Sequence, residues 1–246
     1  MKIRNFYNDY LDSFLELIYP EKNHCVICNI HDESIGEEYI CESCRRKLNY
    51  INDPICTKCG KDMLFESENE ICNQCCKHNY SFIKNKSVFK YDGIIKKIIH
   101  DYKYLDKSYY YKFLSTTLYH YMIDNYYLNF DIITCVPIHK HKLKERGYNQ
   151  TELLAKFISH KLDIPYSLLL VRKADTIKQS NLSKKQREKN LLNAFAICEK
   201  IDYNIVRDKS ILIIDDIYTT GSTMEACAKV LIENGAAAVY GLTVAR

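Results

Sequence analysis

Residues 211–223 read Ile-Leu-Ile-Ile-Asp-Asp-Ile-Tyr-Thr-Thr-Gly-Ser-Thr, and no other stretch limits the fold of this chain as strongly. Ile211–Ile214 is a short apolar run that predicts a buried strand. Asp215 and Asp216 follow, at what the pattern makes the strand's exposed carboxyl end. The Thr-Thr-Gly-Ser-Thr turn then opens an amphipathic helix. In α/β folds, ligands bind at such strand-to-helix loops. Backbone N–H groups at the helix start, aided by the helix dipole, cradle a phosphate. The hydroxyls of Thr219, Thr220, Ser222 and Thr223 add donors, and Gly221 permits close approach or a positive φ. Asp215 and Asp216 would repel that same phosphate. They suit sugar hydroxyls, or a divalent cation bridging to further phosphate. A ribose 5-phosphate carrying a pyrophosphate meets every one of these demands. Ordinary turns are also rich in Asp, Thr, Ser and Gly, but no turn requires two adjacent acids followed at once by this string.

The stretch resembles the phosphoribosyl-pyrophosphate (PRPP) loop of type I phosphoribosyltransferases. That resemblance makes Asp215, Asp216, Thr219, Thr220, Gly221, Ser222 and Thr223 the expected PRPP-binding residues, with magnesium accompanying the PRPP.

The amino-terminal third is organised by cysteine. Cys25-x2-Cys28, Cys41-x2-Cys44, Cys56-x2-Cys59 and Cys72-x2-Cys75 are separated by 12, 11 and 12 residues. The unit Cys-x2-Cys-x12-Cys-x2-Cys thus occurs twice, and each supplies the four thiolates of a closed, structural zinc site. A redox Cys-x-x-Cys usually comes singly, and common iron–sulfur patterns use other spacings. Two structural zinc ions are therefore expected. Sequential pairing is the simple reading; interleaved pairing, 25/28 with 56/59, stays open, as does replacement of Cys75 by Cys76. Cys135, Cys198 and Cys227 lie in apolar stretches and read as small core residues.

The chain has 246 residues, enough for one large domain or two smaller ones, and a net charge of only +4, which by itself does not argue for nucleic acid. No run approaches the ~18 apolar residues of a membrane span, and the N-terminus lacks a secretory leader's apolar core. A cytoplasmic protein without structural disulfides is expected.

Along the chain, residues 5–18 show one apolar helical face. Residues 81–91 alternate like a strand, and Asp92 is placed to cap a helix carrying Ile94, Ile95, Ile98 and Ile99. A tyrosine-rich helix runs from Ser108 to about Asn125, a strand covers 131–136, a helix Asn149–Leu162, a strand 166–171 and a last strand Val239–Val244. Ser183-x-x-Gln186 and Ser222-x-x-Glu225 fit capping boxes, the second opening a helix that Gly235 closes. Strands alternating with helices predict a parallel sheet flanked by helices. The expected division is residues 1–80, a helix plus zinc-binding module, and 81–246, the α/β domain.

A basic segment follows the 131–136 strand. His139, Lys140, His141, Lys142, Lys144 and Arg146 can carry positive charge there, and Gln150 adds a neutral donor. In a parallel sheet they fall on the same edge as the 219–223 turn, where a pyrophosphate leaving group needs donors. A solvated basic loop is the plainer reading. Residues 172–190 are also polar and basic, and fit a lid or a solvated helix equally.

The order of these elements carries a wider resemblance. Cysteine pairs come first, then Tyr91-Asp92-Gly93 through His100-Asp-Tyr-Lys103, Val136-Pro137-Ile-His139, Arg146-Gly-Tyr-Asn-Gln150, Arg172, Thr176, Gln179, Arg187, Asn190, Ala194-Phe195 and finally Ile211–Thr223. From about residue 15 to 246 the chain resembles the ComF family, which includes ComFC and GntX-like proteins. The resemblance implies a type I phosphoribosyltransferase fold behind a zinc module. It also implies a link to DNA uptake and its proteins in naturally competent bacteria, with single-stranded DNA as a suggested ligand. It does not specify the acceptor. The family usually has a glycine after Lys103, where this chain has Tyr104-Leu105-Asp106.

Two functions fit. In a phosphoribosyltransferase, Asp215 and Asp216 hold the ribose hydroxyls, directly or through magnesium, the turn anchors the 5-phosphate, and Arg146 with His139, Lys140 and Gln150 stabilises pyrophosphate. In a non-catalytic nucleotide or single-stranded DNA binder, phosphate grooves and tyrosines serve for stacking. No clear general base is visible in the sequence, which keeps the second function open.

Overall fold

Parallel pairing of four strands builds the framework of the larger part of the chain. In the computed structural model, which describes residues 23–64, 70–105, 107–125, 130–173, 194–199 and 201–246, these strands are β1 (Lys84–Phe89), β2 (Ile132–Cys135), β5 (Ser210–Ile217) and β6 (Ala238–Ala245). They lie in the order β1-β6-β5-β2, every neighbour parallel. The apolar run Ile211–Ile214 occupies β5, with a strand on each side, and all four residues are fully buried. A strand covered on both faces reads as continuously apolar, which is why this one is legible.

Among the helices, α1 (Glu42–Arg45) and α2 (Asn73–Cys76) are single turns. After β1 come α3 (Gly93–Tyr104) and α4 (Tyr110–Asn125). After β2 come α5 (Lys140–Arg146) and α6 (Gln150–Leu162), and α7 (Ser222–Glu233) joins β5 to β6. One buried cluster packs Ile95, Ile98 and Ile99 of α3, Leu114 and Leu118 of α4, and Leu154 and Ile158 of α6 against Leu212 and Ile214. The other packs Ala226, Cys227, Ala228 and Leu231 of α7 against Ile211 and Ile213. The alternation of β5 residues between the clusters follows from the two-residue period of a strand.

Several expectations need correction. The strand expected at 166–171 is shifted: β3 (Leu170–Arg172) pairs antiparallel with β4 (Phe195–Ile197) in a separate two-stranded sheet, while Tyr166 only bridges to Ile133. The basic segment, whose plainer reading is a solvated loop, forms the helix α5, closed by Gly147 at φ 78°. Ser222-x-x-Glu225 forms no capping box. Gly221 is the N-cap, and the Glu225 carboxylate instead accepts from the backbone N–H and hydroxyl of Ser81 at 2.7 and 2.8 Å. Asp92 does stand at the N-cap of α3, but its carboxylate accepts from Asn49 at 2.8 Å rather than capping. Cys135 and Cys227 are fully buried as expected, whereas Cys198 is partly exposed. The helix expected over 5–18, the Ser183–Gln186 capping box, and Thr176, Gln179, Arg187 and Asn190 lie outside the described residues. Among the described residues, no helix is long and apolar enough to cross a membrane.

Candidate functional site

The eight paired cysteines resolve into two tetrads. The sulfurs of Cys25, Cys28, Cys41 and Cys44 lie within 4.8 Å of one another, and those of Cys56, Cys59, Cys72 and Cys75 do the same. Pairing is therefore sequential. Local backbone explains how each pair aims at one point. Cys41 and Cys72 stand at the N-caps of the single-turn helices α1 and α2, so the second cysteine of each pair returns to the same side. In the other two knuckles, Asn29 and Gly60 adopt φ 60° and 68° and donate back to the carbonyls of Cys25 and Cys56. Cys76 is exposed, outside the tetrad, its sulfur directed at the carbonyl of Ile71.

Four thiols held in mutual contact, with Cys28 and Cys41 3.6 Å apart and Cys59 and Cys72 3.8 Å apart, are a tetrahedral zinc donor set. A hydrogen bond from Ser43 holds the Cys41 thiol down to about 6, and one from Cys59 holds the Cys56 thiol down to about 4. Burial pushes Cys44 the other way. A divalent cation is what lets all four thiolates of a tetrad coexist. The donor set fits two structural zinc ions.

The Thr-Thr-Gly-Ser-Thr turn leaves the carboxyl end of β5. Gly221 sits at φ 82°, and a Cβ there would collide with the Tyr218 hydroxyl, so only glycine fits. Thr220 and Ser222 share a hydroxyl contact at 2.8 Å, and Thr219 and Thr220 are exposed. The first turn of α7 places Ser222 and Thr223 at its N-terminus, with the Glu225 N–H bonded to the Gly221 carbonyl.

Asp215 and Asp216 are not at an exposed end. Both belong to β5 and are 8% exposed. Adjacent strand residues point to opposite faces. Asp216 meets Lys103 of α3, with Nζ 2.7 Å from Oδ1. Asp215 accepts from the Asp216 N–H at 2.8 Å. Burial, then the charge of Asp216, pushes the Asp215 carboxyl up to about 8, with Lys103 and Arg172 opposing. Burial works against the Lys103 ammonium, but Asp216 and Asp215 outweigh it and the net shift is upward.

Lys103 is the site residue that reading for motifs missed. It stood within the family pattern, but nothing in its neighbourhood marks it as a partner of residue 216. Its flanking residues turn toward the basic segment. The Tyr102 hydroxyl donates to the Gln150 carbonyl at 3.0 Å, and the Arg146 guanidinium lies 4.9 Å over the Tyr104 ring. Arg146 also donates to the Gln150 side chain at 3.2 Å. The end of α3 thus joins the acid pair to the basic helix.

Because β2 and β5 are neighbouring parallel strands, the loops after them leave the same sheet edge. Asn149 and Thr151, both buried, donate to the Val136 carbonyl at 3.1 and 2.8 Å and fix the start of the loop that leads through His139 to Lys140 of α5. His139 accepts from the His141 N–H at 3.3 Å, capping α5. The edge therefore presents two adjacent buried acids and the 219–223 turn after β5 beside a basic helix after β2.

Residues 14–76 match the double zinc ribbon domain, and residues 150–245 match the phosphoribosyl transferase domain. Over 221 residues the chain is 30% identical to Competence protein ComFC of Bacillus subtilis, covering 85% of each chain. It is 28% identical over 218 residues to Competence protein F of Haemophilus influenzae, covering 86% of this chain and 91% of that one. With DNA utilization protein YhgH of Escherichia coli it shares 29% identity over 224 residues, covering 87% and 93%.

Proposed function

Because the chain belongs to the ComF family of competence proteins and carries a phosphoribosyl transferase domain behind a double zinc ribbon, we propose that it binds PRPP with magnesium and transfers ribose 5-phosphate to an acceptor. The observation that carries this reading is the shared sheet edge: Asp215, Asp216 and the 219–223 turn on β5, and the Arg146 helix on the neighbouring β2.

The turn anchors the 5-phosphate through the N–H groups at the start of α7 and its hydroxyls. Asp215 and Asp216 receive the ribose hydroxyls. As the bond from the anomeric carbon to the pyrophosphate oxygen breaks, its electron pair leaves with pyrophosphate and positive charge builds on the ring. The two acids stabilise that charge, an acceptor lone pair then forms the new bond, and the acceptor's proton passes to the released pyrophosphate or to water. Arg146, His139, Lys140 and Gln150 face the growing negative charge on the leaving group. Asp215 and Asp216 are the acids that would hold magnesium, which would supply positive charge to the pyrophosphate and counter the burial that raises the Asp215 carboxyl. Such a protein acts in the cytoplasm, with DNA uptake as its context.

A second function, nucleotide or single-stranded DNA binding without catalysis, is favoured by Tyr104, 60% exposed and stacked with Arg146 beside the acid pair. The name of the Escherichia coli relative points the same way. The test is titration calorimetry with PRPP and magnesium, followed by a pyrophosphate-release assay with nucleobases and other nitrogen acceptors. PRPP binding with release supports the transferase; PRPP binding with no release from any acceptor supports the binder; absence of binding sinks both uses of the PRPP site.

A further inference from the structure

We propose that Gln74 of the second zinc ribbon and Tyr80, four residues beyond it, are positioning residues for the phosphate turn: they hold the Thr220 carbonyl so that the next N–H faces the anion. The proposal deepens the PRPP reading and rests on it.

Gln74 Nε2 donates to the Thr220 carbonyl at 3.2 Å, and the Tyr80 hydroxyl donates to the same oxygen at 3.4 Å. A trans peptide is planar, with its C=O and N–H pointing in opposite directions. Drawing the Thr220 carbonyl toward the ribbon therefore aims the Gly221 N–H away from it. The negative end of that peptide dipole is also kept from the phosphate it would repel. At φ 82°, Gly221 occupies backbone space that no side chain stabilises, so the peptide plane before it needs an external anchor.

Both donors are themselves held. Gln74 lies between the zinc-site residues Cys72 and Cys75 on α2. The Tyr80 ring stacks on Phe82 at 4.8 Å, and Phe82 is fully buried. The neighbouring Ser81 grips Glu225 in the first turn of α7 through two donors. Arg246 donates to the Cys59 carbonyl and sulfur at 2.6 and 2.9 Å, and its guanidinium covers the Tyr218 ring at 4.9 Å. The Tyr218 hydroxyl is what reserves position 221 for glycine. The second ribbon thus reaches the turn by two routes. The first ribbon packs Cys25, Cys41 and Cys44 into the cluster of α3 and α4 instead.

The experiment uses the full chain with zinc bound. Gln74→Glu keeps the size of the side chain and replaces its donor with an acceptor; Tyr80→Phe keeps the ring and removes the hydroxyl, and lies outside the tetrad. Metal content, melting temperature, the Gly221 amide resonance and the PRPP affinity are measured for each. We expect zinc at the parent content, a shifted Gly221 amide in both ligand-free variants, and PRPP binding weakened about tenfold in Gln74→Glu and roughly threefold in Tyr80→Phe. A packing role alone would not separate Gln from its isosteric Glu. Parent-like PRPP affinity and an unmoved Gly221 amide in Tyr80→Phe overturn the proposal, whatever Gln74→Glu does to zinc retention. If the parent protein binds no PRPP, the PRPP reading falls, and the Gly221 amide then decides the positioning by itself.

Discussion

Lys103 and Asp216 form an ion pair of 2.7 Å at the carboxyl edge of the sheet, joining the end of α3 to the strand that leads into the phosphate turn. Their side chains are 19% and 12% exposed, so the pair is screened by little water. Tyr102 and Tyr104 on either side contact Gln150 and Arg146. Three successive residues therefore tie the end of α3 to Asp216, to Arg146 of the basic helix and to the start of α6.

Replacing Lys103 with methionine leaves a buried carboxylate pair without its cation. We predict a loss of about 2 kcal/mol in stability, below the full penalty of a broken buried pair because some solvent remains. We also predict tighter binding of manganese or magnesium in the absence of PRPP, because the competing ammonium is gone. Denaturant melts and metal calorimetry measure the two. Unchanged metal affinity would mean that Lys103 does not occupy the cation's place.

The raised Asp215 carboxyl makes a pH prediction. Its folded value of about 8 lies well above its ordinary 3.8. Between those values the folded state binds the proton more tightly than the unfolded chain, so this group's contribution to stability is complete below about 4 and falls as pH rises toward 8. Asp215→Asn removes the charge and keeps an acceptor for the Asp216 N–H. The variant should melt higher than the parent at pH 8, by roughly 2–4 °C for each kcal/mol regained, and the difference should vanish at pH 4. A difference independent of pH would assign the effect to packing.

The pair Asp215→Ala and Asp216→Ala should abolish measurable PRPP binding, at least about a hundredfold through removal of two charge-assisted interactions. Because both side chains are buried and Lys103 would be left unpaired, the double alanine variant should also be destabilised. Asp216→Asn is the milder probe. Circular dichroism alongside calorimetry separates lost binding from lost fold, and a folded double variant with parent affinity would reduce the stretch to an ordinary turn.

Protein purified without added metal should carry two zinc ions per chain, one for each tetrad. Cys25→Ser should loosen the first ribbon from α3 and α4, whereas Cys56→Ser should weaken PRPP binding as well, through α2 and the Thr220 carbonyl. Atomic absorption gives the metal count. A single ion, or equal effects of both variants on PRPP, would contradict this division.

If single-stranded DNA uses the basic edge, Lys140→Glu, Lys142→Glu and Lys144→Glu together should weaken binding for all sequences. The salt dependence should flatten by about 0.7 of a unit of slope for each phosphate that is no longer neutralised. The first ribbon is the weaker candidate. Arg45 is engaged by Glu38 and Glu42, and Arg46 by Glu42. Fluorescence anisotropy at two salt concentrations tests it, and parent-like affinity in the triple variant would move the DNA to another surface.

Some of this was legible in the residues alone. Two repeated cysteine units sufficed for two tetrads, because a knuckle needs only a local turn. The run Ile211–Ile214 announced a strand buried on both faces, and the string after it announced the turn. Local rules failed where a distant group offered more. Ser222-x-x-Glu225 fits a capping box, yet Ser81, 144 residues away, supplies two donors to Glu225 and takes it. The acids looked terminal and exposed, but the sheet and α3 cover them. The basic loop became a helix pinned through Asn149 and Thr151.

What the sequence determined by itself is therefore the set of elements whose stability is local or follows from one-dimensional apolar patterning: the knuckles, the central strand and the glycine turn. Only the tertiary structure decided the partners. Lys103 and Asp216 are 113 residues apart, and Gln74 and Thr220 are 146 apart. Such pairings depend on strand order, on which edge each loop leaves and on which competing donor reaches a group first, and no periodicity within a single segment carries that information.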